Sequence, residues 1–133
     1  MAEIWVKRLM LGTDLGFLAY WVATATGLIP PYPHHILIDW NWSYLLLDLV
    51  ASATGLTALW LSHRASDSAR SLMLISLALT HAAGLTALNF WALRGEFAPA
   101  WWLPNLWLTV FPVVGVFVLL YRPHAQRSVS PPR

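Results

Sequence analysis

Four long apolar segments, separated by short polar stretches, dominate the pattern of the chain. They cover about residues 9–29, 42–61, 72–93 and 103–121. A helix needs roughly 20 apolar residues to cross the hydrocarbon core of a bilayer, whereas strands of a membrane barrel would alternate polar and apolar residues. The pattern therefore predicts an all-α integral membrane protein, a four-helix bundle in which neighbouring helices are antiparallel.

The composition supports a location in the membrane. Hydrophobic residues make up 58% of the 133 residues and charged residues only 11%, whereas a soluble domain carries about 25% charged residues. The formal net charge is only +2, and no run of basic residues suggests a nucleic-acid partner. The absence of cysteine excludes disulfides, thiolate metal ligands and cysteine nucleophiles.

Basic residues indicate how the four predicted spans are oriented. With an even number of spans, seven of them fall on one side of the membrane: Lys7, Arg8, Arg64, Arg70, Arg122, Arg127 and Arg133. Only Arg94 falls on the other side. Cytoplasmic loops are enriched in Lys and Arg, so both termini are predicted to lie in the cytoplasm, at a bacterial plasma membrane.

A single domain is predicted for residues 1–121, followed by a disordered cytoplasmic tail at 122–133. The tail is rich in Pro, Ser and Arg and contains few apolar residues. The predicted spans also carry small residues four apart, among them Gly12 with Gly16 and Thr80 with Gly84. In membranes such residues mark faces where helices pack closely, so these positions are predicted contacts between helices.

The predicted outer side is rich in aromatic residues: Tyr32, Trp40, Trp42, Tyr44, Trp91, Phe97, Trp101, Trp102 and Trp107. Two interpretations remain open. Such rings form belts at the level of the lipid headgroups. They also form aromatic-walled sites for apolar or cationic ligands.

Three ionisable residues lie within predicted spans, where a charge costs about 2.5–3.5 kcal/mol on insertion scales. Asp14 lies near the cytoplasmic end of the first span, where it is either a hydrogen-bonding carboxylate or a proton or cation site. Asp48 lies in the second span with Ser52 and Gly55 on its face, so it is predicted to point into the bundle. There it is a structural hydrogen-bonding group, a proton carrier or a counter-ion.

His81 lies near the middle of the third span among small residues. It is a structural polar contact, part of a proton relay with Asp48, or an axial ligand of a tetrapyrrole. No second histidine lies at a matching depth, which argues against a haem held by two histidines. Cofactors therefore stay open, and the sequence requires none. A metal site of His34, His35, Asp39 and Glu96 has only weak support from their spacing.

Further polar residues near the outer ends of the spans, Asn89, Arg94 and Asn105, are predicted to line the outer half of the bundle beneath the aromatic rings. The candidate ligand- or ion-binding residues are therefore Asp48, Asp14, His81, Asn89, Asn105, Arg94, Trp42, Trp91 and Trp102. No nucleophile elbow, phosphate loop or zinc-protease helix is present, so nothing in the sequence supports an enzyme.

Three segments carry a resemblance to a known family. They are Thr13–Phe17 with Tyr20-Trp21, Trp40–Ser43 leading to Leu47–Leu49 and Thr54–Leu56, and Phe90–Arg94 leading to Trp101–Leu106. Together they resemble the YvaD-like family of small bacterial membrane proteins. The resemblance implies a bacterial protein with four spans and assigns no activity. It favours Asp14, Asp48, Arg94 and Asn105 as site residues over His81, which lies outside the matching segments.

The leading hypothesis is an oligomeric transporter, channel or binding protein that handles a ligand, ion or proton at a polar site in its outer half. Four short helices are expected to enclose little space, so any pore is expected between subunits. A second hypothesis is a structural or accessory subunit of a larger membrane complex. A third is a binder of a pigment or lipophilic cofactor through His81 and the aromatic residues.

Overall fold

The computed structural model describes residues 2–121, and every regular element within that range is a helix. The helices are α1 (Ala2–Ala25), α2 (His35–Ser43), α3 (Leu45–His63), α4 (Ser68–Leu93) and α5 (Pro99–Tyr121). The all-helical fold class is thus confirmed for these residues. The tail predicted at 122–133 lies outside the described residues.

The first helix begins and ends earlier than the apolar segment at 9–29. It starts at Ala2 because Lys7 and Arg8 are compatible with a helix even though they are not apolar. It ends at Ala25, and Gly27 then adopts a positive φ of 74°, a conformation that glycine accepts without a steric penalty. Hydropathy therefore located the apolar part of α1 and missed both of its ends.

The outer segment before the second predicted span contains a short helix that the sequence analysis missed. Helix α2 meets α3 at Tyr44, whose backbone N–H donates to Asn41 O at 3.1 Å. The two helices form an almost continuous run, His35–His63, of 29 residues. The start of the second span, predicted at residue 42, marked only the point where the sequence becomes uniformly apolar.

Within residues 2–121, three helical segments are long and apolar enough to cross a membrane: His35–His63, Ser68–Leu93 and Pro99–Tyr121. Helix α1 is not among them, because it carries Glu3, Lys7, Arg8 and Asp14. The structure therefore supports a membrane protein with three candidate spans, one fewer than the sequence analysis predicted.

The helices pack in chain order, with α3 against α4, α4 against α5, and α1 chiefly against α3. Contact between α1 and α5 is slight. A dense apolar core fills one end of the bundle, where Val6 and Met10 of α1 join Leu77, Phe111 and Leu119. This end contains the start of α1 and the end of α5, so it is the predicted cytoplasmic half.

Glycines differ sharply in what surrounds them. A Cβ on Gly84 would lie 2.8 Å from the backbone oxygen of Asn105 and 2.7 Å from Leu108 Cβ, so α4 and α5 approach closely there. Beside Gly12 and Gly16, by contrast, no atom lies within 4 Å of an added Cβ. The predicted helix contact at Gly84 is thus present, and the one at Gly12 and Gly16 is absent.

Replacing Gly84 with Ala is therefore expected to destabilise the bundle by about 1–3 kcal/mol, because backbone atoms of α5 would have to move. Thermal unfolding in mild detergent measures the effect. Gly12→Ala is the matched control, and its midpoint should stay the same or rise slightly, since alanine favours a helix more than glycine does. Equal midpoints for the two variants would contradict the close approach of α4 and α5.

Candidate functional site

A cavity of about 640 Å³ extends from Arg8 and Leu9, beside the apolar core, to Tyr32 and Trp40 at the opposite end of the bundle. Its walls come from α1, α4 and α5, and the segment from Ile29 to Asp48 closes one end. Small residues form much of its length, with Gly12 and Gly16 on α1 and Ala83 and Ala87 on α4. A single chain thus encloses more space than the sequence analysis expected of four short helices.

Asp48 lines this cavity from the first turn of α3 and is only 5% exposed. One carboxyl oxygen, Oδ2, accepts a hydrogen bond from Trp21 Nε1 at 3.0 Å. The other, Oδ1, is buried and has no hydrogen-bond partner. Because buried polar atoms are nearly always paired, this oxygen is a strong candidate for contact with a bound molecule.

Two further cavity residues also have a buried polar atom without a partner. They are Tyr44, through its hydroxyl, and Trp91, through its Nε1. The cavity therefore offers a carboxylate acceptor, an indole donor and a hydroxyl that can act as either. Among the described residues, only Asp14 adds another such atom.

Four aromatic side chains, Tyr32, Trp40, Trp91 and Trp101, form an aromatic cluster at the outer end of the cavity. The ring of Tyr32 lies 5.2 Å from that of Trp101 and 6.0 Å from that of Trp91, measured between centroids. Trp91 and Trp101 stack at 6.1 Å. Burial raises the pKa of the Tyr32 hydroxyl, so it stays protonated at neutral pH.

Asn105 also lines the cavity, and its Nδ2 donates to Trp101 O at 2.7 Å. Tyr20 and Asn41 line it as well and are joined by a hydrogen bond of 2.7 Å from the Tyr20 hydroxyl. The sequence analysis did not single out Asn41, because hydropathy placed it in a loop. Only the helical spacing of α2 could have indicated that it faces the bundle.

Asp14 does not line the cavity and lies between α1 and α3 at 2% exposure. Ser52 donates its hydroxyl to the Asp14 backbone carbonyl at 3.2 Å, and the Asp14 carboxyl packs against Gly55. A Cβ on Gly55 would lie 2.8 Å from the Asp14 carboxyl carbon and 2.7 Å from Ser76 Oγ. Two predicted site residues, Asp14 and Asp48, thus lie along one helix interface but in different surroundings.

His81 is used in a contact between helices. Its Nδ1 lies 2.8 Å from the backbone oxygen of Thr109 on α5, and since that oxygen can only accept, Nδ1 carries the proton. His81 is not among the residues that line the cavity, so the structure does not bring it together with Asp48 there.

The remaining candidates lie outside the cavity. Trp42 packs on Trp21 at 5.4 Å, and Asn89 is exposed. Arg94 forms a salt bridge of 2.8 Å with Glu96, whose backbone oxygen accepts from Trp102 Nε1. Within residues 2–121, no group of three or more His, Asp or Glu side chains is placed to hold a metal ion.

One side of the cavity is bridged by a single hydrogen bond between side chains of α1 and α5. Trp107 Nε1 donates to Thr13 Oγ1 at 3.1 Å, and Trp107 is 45% exposed. Gly12 and Gly16 are exposed although they line the cavity. The cavity is therefore open sideways between α1 and α5.

Comparison with known proteins places these residues in a family. The profile of a family of unknown function, DUF5360, matches residues 6–126. The chain belongs to this family. It is also similar to the uncharacterized protein YvaD of Bacillus subtilis (strain 168), with 38% identity over 122 residues, which are 87% of this chain and 92% of the relative. The predicted resemblance to YvaD-like proteins is thus confirmed.

The match to the DUF5360 family covers the whole cavity but assigns no role to its residues. No solved structure matches the chain. The functions of Asp48 and Asn105 therefore stay predictions, supported by their position in the cavity.

The bond between Trp21 and Asp48 can be tested through stability. Trp21→Phe removes the only hydrogen-bond partner that the Asp48 carboxyl has among the described residues. It should cost about 1–3 kcal/mol of unfolding free energy. Thermal unfolding in detergent measures this loss. Trp60→Phe, at a position 53% exposed, is the matched control and should change the midpoint little. If both variants lose the same stability, the bond has no special importance.

Proposed function

We propose that this protein is a four-span membrane protein that binds, and by doing so transports or senses, a ligand with a protonated amine. The observation that carries the proposal is the unpaired Oδ1 of Asp48 in a buried, aromatic-walled cavity. An ammonium group is the natural partner, because it would donate a charge-assisted hydrogen bond to that oxygen.

The aromatic cluster suits the same ligand. The faces of Trp and Tyr rings attract cations electrostatically, and this attraction strengthens where water is excluded. Trp40, Trp91 and Trp101 supply such rings in the walls of the cavity that Asp48 lines. A neutral apolar ligand would also fit the rings, but it would leave Asp48 Oδ1 without a partner at a cost in free energy.

For the placement in the membrane, we propose that α1 is a span together with the three apolar segments. Glu3, Lys7 and Arg8 lie in its first two turns, and Asp14 is buried against α3, so residues 9–25 present few polar groups to lipid. Such a run is near the lower limit for a span. Trp21 contacts Asp48 while Asp14 contacts Ser52, an order of contacts that favours antiparallel neighbours. With four spans, both termini are cytoplasmic.

The binding site in this proposal requires no second copy of the chain, because one chain supplies the whole cavity. An oligomer is therefore compatible with the proposal, but a second subunit contributes no residue to the proposed binding site. The unused faces of α3 and α5, which expose Val50, Val110 and Phe117, are proposed to contact lipid.

Binding by Asp48 can be measured with octylamine, which is protonated at neutral pH. In nanodiscs, Asp48→Asn should weaken binding of radiolabelled octylamine at least about tenfold, because the charge-assisted bond is lost. Asp39→Asn is the matched control, since it makes the same change at an exposed position outside the cavity. Unchanged affinity in Asp48→Asn, or no binding to the wild-type protein, would refute the proposed function.

Topology can be tested with single cysteines, because the chain has none of its own. In intact cells, a membrane-impermeant maleimide should label Ala98→Cys, between α4 and α5. It should label Ser66→Cys, between α3 and α4, only after permeabilisation. Both residues lie in the short connections between helices. The opposite labelling pattern would reverse the proposed orientation.

A further inference from the structure

The cavity is a long slot along α1, and the residues of α1 that line it recur at helical spacing. Eight residues of α1 line it: Arg8, Leu9, Gly12, Thr13, Gly16, Phe17, Tyr20 and Trp21. From Arg8 to Tyr20 the slot extends about 18 Å along the helix axis, at roughly 1.5 Å per residue. Asp48 lies at one end of it, since its carboxyl bonds Trp21.

Gly12 and Gly16 keep the middle of this slot wide. They have ordinary helical φ angles, and no neighbouring atom lies within 4 Å of an added Cβ. Neither the backbone conformation nor close packing of a neighbouring helix therefore requires glycine there. Gly55, Gly84 and Gly115, by contrast, all have neighbours at contact distance. What a side chain at Gly12 or Gly16 would occupy is the space of the slot.

From this geometry, and resting on the proposed function, we infer that the ligand is a long-chain alkyl amine. Its ammonium group bonds Asp48 Oδ1, and its hydrocarbon chain extends along α1 past Gly16 and then Gly12. Ala83 and Ala87 form the opposite wall of the slot. The surface that Gly12, Gly16, Ala83 and Ala87 offer along this stretch suits a hydrocarbon chain, and Arg8 lines the slot only beyond Gly12.

Distances along α1 determine how long the ligand's alkyl chain must be to reach Gly16 and Gly12. Gly16 lies five residues from Trp21, or about 8 Å, and Gly12 lies nine residues away, or about 14 Å. An extended chain advances about 1.2 Å per bond, as the polypeptide backbone does. A butyl chain of about 5 Å thus ends before Gly16, an octyl chain of about 10 Å passes it, and a tetradecyl chain of about 17 Å passes Gly12 as well.

The test measures binding of butylamine, octylamine and tetradecylamine to Gly16→Leu and Gly12→Leu in nanodiscs of one lipid composition. Gly16→Leu should weaken the binding of octylamine and tetradecylamine at least tenfold and leave the affinity for butylamine unchanged. Gly12→Leu should weaken the binding of tetradecylamine alone. Empty nanodiscs correct for partition of each amine into lipid, and the affinity ratio to wild type is compared for each amine.

Ala53→Leu is the control variant, because it enlarges an exposed residue of α3 outside the cavity and should alter no affinity. The inference is overturned if either glycine variant weakens all three amines equally, or weakens none. Such a result, together with binding that still depends on Asp48, would refute the slot while preserving the proposed function. Gly12→Ala and Gly16→Ala provide smaller obstructions and should give the same order of effects.

Discussion

The attachment of α1 to α3 is the constraint on which the rest of the structure depends. Helix α1 carries more charge than the other long helices, and it contacts α5 only lightly. Two hydrogen bonds and one packing contact hold it against α3: Trp21 donates to Asp48, Ser52 donates to the Asp14 carbonyl, and the Asp14 carboxyl packs on Gly55. In an apolar surrounding these groups have few other partners, so the interface fixes both the position of α1 and the width of the slot beside it.

The bundle has two halves with different packing. At the end that holds the start of α1, Val6, Met10 and Leu77 meet in a dense core, and Leu77 also packs against Gly115. Along the cavity, α1 and α5 do not fill the space between them, and the aromatic cluster closes the end farther from this core. Ligand sites in helical proteins are commonly concave, largely apolar spaces between the helices of a bundle.

Apolar periodicity predicted the helical fold and the approximate positions of the helices, because long apolar runs have no other stable form in a membrane. It missed α2, since a helix with Asp39 and Asn41 on it does not stand out by hydropathy. Asp48 could be predicted to point into the bundle, because a carboxyl among leucines is costly to expose to lipid. The different surroundings of Asp14 and Asp48 could not be predicted, because they depend on which side of α1 meets α3.

The glycines show most clearly what could not be predicted from the sequence. Gly12 with Gly16 and Thr80 with Gly84 have identical spacing in the sequence, yet one pair borders open space while Gly84 meets the backbone of α5. Spacing identifies small residues that permit close approach, but only the three-dimensional arrangement shows whether a helix or a cavity occupies the space. Likewise, His81, which the sequence analysis considered as a cofactor ligand, forms a hydrogen bond with the backbone of α5.

The sideways opening between α1 and α5, crossed by the bond from Trp107 to Thr13, changes how a ligand meets the site. A molecule dissolved in the surrounding leaflet has a path to Gly12 and Gly16 that never passes through water. The lipid then acts as a reservoir that concentrates apolar ligands beside the protein. In the proposed function, selectivity therefore comes from the charged end of the ligand, because hydrocarbon chains are abundant and already desolvated in the lipid.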